Sequence, residues 1–244
     1  MDENQFLQYK DQGYNRIPLV KEVLADLDTP LSTYLKLADG EYSYLLESVQ
    51  GGEKWGRYSV IGLPAKTVVS VVGQDITVRL AGEIIEQTTV DDPLDWIENF
   101  RKRYNVPELA GLPRVRGGLV GYFSYDTIRY IEPKLKKSVN PDTLGAPDIL
   151  LMLSEEVVVF DNLSGKLFLI VHVDPAQDQA FESGQQRLAE LNAQLLDSQI
   201  PRSDHQLRHV AEADFVSEFD EAEFEQGVEK IKDYIRAGDA MQVV

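Results

Sequence analysis

The chain has 244 residues, 43 % hydrophobic and 27 % charged, which is enough apolar content for a substantial core and too much for disorder. A formal net charge of −17 repels phosphate at long range and disfavours both nucleic acid and anionic membrane as partners. The absence of cysteine excludes thiolate catalysis, cysteine-based zinc sites and disulfides within the chain.

The first residues, MDENQFLQYKDQG, are acidic and polar where a signal peptide needs a basic start and then an apolar stretch. No apolar run approaches the roughly 20 residues of a membrane span. The chain reads as soluble and cytoplasmic. Residues 16–24 read as extended, and Thr29-Pro30 supplies an N-cap and an N1 proline for a helix through Leu37, which Gly40 ends. Strand-like runs follow at 42–48, 57–62, 67–72, 76–80 and 84–89. Gly51-Gly52, Gly73-Gln74-Asp75 and Ala81-Gly82 separate them, which is the punctuation of an antiparallel meander.

Asp92-Pro93 opens a helix with Leu94, Ile97, Phe100 and Tyr104 on one face. The run Gly117-Gly118-Leu119-Val120-Gly121-Tyr122-Phe123 comes next, and Asp126, Ile128 and Ile131 then suggest a short helix. Residues 148–160 and 166–173 read as two β-branched strands joined through the 161–165 loop, DNLSG. Phe181, Leu188, Leu191 and Leu195 mark a further helix, and residues 198–214 form a polar connector. In the last helix Phe224, Val228, Ile231, Tyr234 and Ile235 recur at helical spacing. Asp220 with Glu223 resembles a capping box, and Gly238 sits where a C-cap belongs. AMQVV then opens as a β-type run, predicting a buried strand in a longer protein of which this chain is the N-terminal part. Strand clusters and helices are segregated, which predicts an α+β fold of mostly antiparallel sheet layers with flanking helices.

Several motifs have plain structural readings. His205 and His209 lie at helical i, i+4 spacing, but SDHQLRHVAEAD lacks a clear helix start, so linker histidines are preferred to a metal pair. Lys134, Lys136 and Lys137 read as a solvated loop beside Glu132 and Asp142. Glycines 117, 118 and 121 match neither the dinucleotide fingerprint nor the P-loop, and instead permit close approach of another backbone. A hairpin across Gly51-Gly52 would bring Ser48 near residues 57–59. It would assemble a site for a zwitterionic amino acid, with Arg57 on the carboxylate, Glu47 or Ser48 on the ammonium and Leu46 against the side chain. By composition alone, ordinary hairpin packing is the stronger reading of the same residues.

Together, LLESVQGGEKWGRYSVIG, RGGLVGYFSYDTIRYIE and the terminal YIRAGDAMQVV resemble the N-terminal half of the large subunit of anthranilate synthase, and the likeness covers nearly the whole chain. The resemblance implies the fold of the chorismate-utilising enzymes, truncated here. Residues 1–200 would be the regulatory N-terminal region, 201–214 a linker and 215–244 the start of the chorismate-binding catalytic domain. It places Leu46, Glu47 and Ser48, with Arg57, Tyr58 and Ser59 as further contacts, at an allosteric tryptophan site.

The same resemblance implies conversion of chorismate and ammonia to anthranilate and pyruvate with Mg²⁺, the ammonia coming from a partner glutamine amidotransferase. The Mg²⁺ ligands and most of the chemistry would lie beyond Val244, so the fragment alone should be inactive. Related enzymes that add water to chorismate carry a lysine base where Gln242 stands. Ammonia already has a free lone pair, so a neutral glutamine fits amination and takes a positioning role. The alternatives are the large subunit of aminodeoxychorismate synthase and a non-catalytic amino-acid-sensing module.

Overall fold

The computed structural model describes residues 1–24, 27–47, 56–112, 117–135, 142, 144–198, 200 and 209–244. Its backbone divides into two compact units, Met1–Pro201 and Arg202–Val244.

Among the described residues the first unit contains two five-stranded antiparallel sheets. The first combines β1 (Ile17–Leu24), β2 (Tyr44–Leu46), β3 (Tyr58–Gly62), β9 (Glu156–Asp161) and β10 (Lys166–Val173) in the order β1-β10-β9-β3-β2. The second combines β4 (Thr67–Val72), β5 (Asp75–Leu80), β6 (Glu83–Thr89), β7 (Gly118–Phe123) and β8 (Ile149–Ser154) in the order β6-β5-β4-β8-β7. Pro18 lies in β1, an edge strand, where a missing N–H is tolerated. The expected α+β class with antiparallel layers and flanking helices is what the chain adopts.

Strand alternation sorts the side chains of the first sheet onto two faces. One face carries Ile17, Leu19, Ile61, Val158, Leu167 and Leu169, all fully buried beneath helices α1 (Glu3–Asp11), α2 (Pro30–Leu37) and α5 (Ala180–Asp197). Each such aliphatic side chain contributes about 1.5–3 kcal/mol on burial. The other face gathers Val60, Val157, Val159, Phe168 and Ile170 with Tyr44 and Tyr58 beside them. In the second sheet Val69, Val71, Ile76 and Ile149 pack on Ile97 and Phe100 of α3 (Pro93–Arg101).

Local chemistry explains the helix starts. Thr29 and Ser32 cap α2 reciprocally, each side-chain oxygen accepting the other's backbone N–H. Asp92 accepts from the amides of Leu94 and Asp95 at the head of α3. Helix α1 has no counterpart in the sequence reading, because its apolar stripe is little more than Phe6, 5.5 Å from the Phe181 ring. The short helix expected near residue 128 is α4 (Ile128–Ile131), preceded by a 3₁₀ turn.

Three expectations require correction. Residues 148–160 are two strands in different sheets. The chain leaves β8 and enters β9 at Glu155, whose backbone carbonyl accepts the His172 N–H at 2.9 Å. The polar Ser154-Glu155-Glu156 step is where continuous β-branched character breaks. The meander at 42–89 is likewise shared, with β2 and β3 in the first sheet and β4–β6 in the second. Pro64 interrupts the ladder between them, having no N–H to donate. Finally, AMQVV forms no strand, and residues 241–244 are exposed.

In the second unit α6 (Glu221–Ala237) begins at Asp220, which accepts from the Ala222 amide, and ends at Gly238 with φ 82°. Phe224, Val228, Tyr234 and Ile235 along its apolar stripe are exposed.

Candidate functional site

The residues singled out in the sequence converge on strands β2 and β3, which pair Tyr44 with Gly62, Leu45 with Ile61 and Leu46 with Val60. By alternation Leu46 and Tyr58 share the face of Tyr44 and Val60, whereas Ser59 lies on the helix-packed face with Ile61. Leu46 is half-exposed and Glu47, just after the strand, is exposed. Ser48 and the Gly51-Gly52 turn lie outside the described residues. Ser59 is completely enclosed, and its hydroxyl accepts from Asn162 Nδ2 at 3.2 Å. The structure therefore brings Leu46 and Tyr58 onto one surface and turns Ser59 away from it.

Arg57 reaches across that surface to β9. Its Nε and Nη2 donate to the two oxygens of Asp161 at 2.9 and 2.6 Å, and its guanidinium lies 4.9 Å over the Tyr58 ring. Such a planar fork is the strong form of a charged hydrogen bond. Asp161 is buried, and the Arg57 guanidinium, helped by Ser164, holds its carboxyl down at about 2. The guanidinium meant for a ligand carboxylate thus already has an internal carboxylate, with Nη1 left unpartnered among the described residues. Asp161 escaped the sequence reading because the DNLSG loop made it look like an ordinary turn residue. It also fills that role, accepting from the Leu163 and Ser164 amides.

Tyr44 connects this surface to the second sheet. Its ring lies against Gly62, where any Cβ would collide with it, and its hydroxyl is 2.9 Å from Ser154 Oγ. Burial raises the tyrosine pKa, so the hydroxyl stays protonated. Ser154 pairs in turn with Gly118 at the start of β7.

The glycines of β7 do what their spacing suggested. A Cβ on Gly117 would lie 2.6 Å from the Ser154 carbonyl oxygen and 2.8 Å from His172 Cε1, and one on Gly121 would strike the Leu150 carbonyl. Gly117 and Gly118 also hold φ of 136° and 115°, values that side-chain-bearing residues avoid. Beside them is a cavity of about 270 Å³ bordered by Arg16, Tyr104, Ser154 and His172. Arg16 is occupied there by Glu155 at 2.8 Å and Asp174 at 3.1 Å, so its charge is already balanced.

Gln242 lies in the exposed tail beyond α6, away from any regular element. Among the described residues, no group of three or more histidine, aspartate or glutamate side chains fits a metal ion.

The family described as chorismate binding enzyme matches residues 45–244. Anthranilate synthase component 1 of Pseudomonas putida is 55 % identical over 246 aligned residues, covering all of this chain and 50 % of that protein. The component 1 protein of Pseudomonas aeruginosa is 53 % identical with the same coverage. The chain thus spans about half the length of the curated relatives it matches. A crystal structure of anthranilate synthase component I from Streptococcus pneumoniae aligns with a TM-score of 0.48 at 23 % identity, over 89 % of this chain and 46 % of that one.

Proposed function

Because the chain belongs to the family of chorismate binding enzymes, we propose that it is the N-terminal half of an anthranilate synthase large subunit. The intact protein would convert chorismate and ammonia to anthranilate and pyruvate in tryptophan biosynthesis in the cytoplasm. The observation that carries the reading is 55 % identity over the whole chain to a protein of that name. A glutamine amidotransferase subunit would deliver the ammonia, and Mg²⁺ would be held by residues outside this chain. Gln242 would help position the incoming ammonia, for which no base is required. No described helix is long and apolar enough to cross a membrane.

Tryptophan would act as feedback inhibitor at the β2–β3 surface. Leu46, Glu47 and Ser48 would touch it, with Arg57 just before β3 and Tyr58 at its start supporting, and the enclosed Ser59 holding that strand in place.

Assay of the intact protein with chorismate, ammonia and Mg²⁺ tests the reaction. Anthranilate is expected, while aminodeoxychorismate without anthranilate would select the aminodeoxychorismate synthase reading. Residues 1–244 alone should give no turnover, and robust anthranilate formation by them would misplace the active site. For regulation, Ser48→Ala should raise the tryptophan concentration needed for half-inhibition about tenfold, the effect of losing one hydrogen bond of about 1.4 kcal/mol. An unchanged inhibition curve would remove Ser48 from the site.

A further inference from the structure

We propose that Tyr44 is a positioning residue that couples the β2–β3 surface to strand β7, through its hydroxyl on Ser154. The proposal rests on the reading of β2–β3 as a tryptophan site, but the contact chain itself is independent of that reading.

Tyr44 stands two residues before Leu46 on the same face of β2, so a ligand that displaces Leu46 also acts on the Tyr44 backbone. The ring has little freedom to absorb the shift, because it fills the space above Gly62. At its far end the hydroxyl meets Ser154 Oγ at 2.9 Å, and both groups are largely removed from water. Breaking that contact would leave a buried hydroxyl without its partner, so the two residues move together more cheaply than apart. This is a bond between an edge strand of the first sheet and a strand of the second.

Ser154 meets a segment able to respond. Its residue pairs with Gly118, and its carbonyl oxygen faces Gly117 at a distance that excludes a side chain. Two successive glycines at positive φ form a natural pivot at the entry of β7. Among the described residues β7 is an edge strand whose ladder is with β8, so a turn about that pivot disturbs that one ladder. Residues 117–123 thereby acquire a role beyond close packing: they are the movable end of a link that starts at Tyr44 and Leu46.

Two measurements on the intact protein test the link. In the first, tryptophan affinity is measured by calorimetry with and without chorismate, omitting ammonia and Mg²⁺, and the ratio gives the coupling. Tyr44→Phe, which deletes only the hydroxyl, should leave tryptophan affinity without chorismate within about 2-fold and reduce the coupling about 3- to 10-fold. Ser154→Ala should do the same, and the double variant should lose no more than either single one, as befits partners in one contact. In the second, amide hydrogen exchange of residues 118–123 should speed up in Tyr44→Phe.

Coupling unchanged in Tyr44→Phe, or additive losses in the double variant, would overturn the proposal. So would unaltered exchange in β7. A wild-type protein that binds no tryptophan would overturn the regulatory reading, and the exchange measurement would still decide whether Tyr44 holds β7.

Discussion

Gly121→Ala is expected to destabilise the intact protein by about 3 kcal/mol or more and to free β7 from the second sheet. The added methyl group would collide with the Leu150 carbonyl and come within 3.0 Å of Leu151 Cα, so backbone stands in its way and no side chain can rotate aside. β8 cannot retreat, because its other edge is paired to β4 from Ile149 to Leu153. The strain therefore falls on the β7–β8 ladder of six residue pairs, which must open or shift register. Chemical denaturation would show the loss, and hydrogen exchange would localise it to residues 118–123. Gly118→Ala makes the useful contrast. It meets no atom within 4 Å but must adopt a φ of 115°, so its cost should come from the backbone alone, about 1–2 kcal/mol. Wild-type stability in Gly121→Ala would mean that β7 is not seated as described.

That glycine was legible in the sequence because its requirement is local: a strand with glycine at 117, 118 and 121 has room for a neighbouring backbone whatever the neighbour is. Helices α2 and α3 were legible for the same kind of reason, since Thr29-Pro30 and Asp92-Pro93 carry their own caps. Division of the strands between two sheets was not, because alternation gives no clue to which sheet a strand joins and the short polar step at Ser154-Glu155-Glu156 reads equally as an irregularity within one strand. Only Glu155, with partners far off in sequence at Arg16 and His172, marks the crossing. The site shows the same division. Leu46, Arg57 and Tyr58 were found through neighbouring motifs, while Asp161 and Ser154 enter through contacts spanning 104 and 110 residues. No periodicity in the chain announces such contacts.

Asp161→Asn should lower the stability of the intact protein at pH 7 by about 2 kcal/mol, the lower part of the range for hydrogen bonds to charged groups. The lower figure applies because the Arg57 side chain is 39 % exposed and water screens part of the attraction. The effect should depend on pH in a defined direction. Asp161 titrates at about 2 in the folded protein, below the roughly 3.9 of an unfolded aspartate. A depressed carboxyl contributes stability that is complete above the unfolded value and is lost as pH falls through the folded one. The difference between wild type and Asp161→Asn should accordingly be flat from pH 8 to about 5, shrink below about 4 and approach zero near 2. Arg57→Lys keeps the charge but loses the two-pronged geometry, so it should recover only part of the stability while preserving the acid limb. A stability gap independent of pH between 7 and 3 would show that ionisation of Asp161, and with it the pairing to Arg57, contributes nothing to folding. The guanidinium would then be energetically available to a ligand carboxylate at the β2–β3 surface, and tryptophan inhibition should weaken in Arg57→Lys but survive in Asp161→Asn.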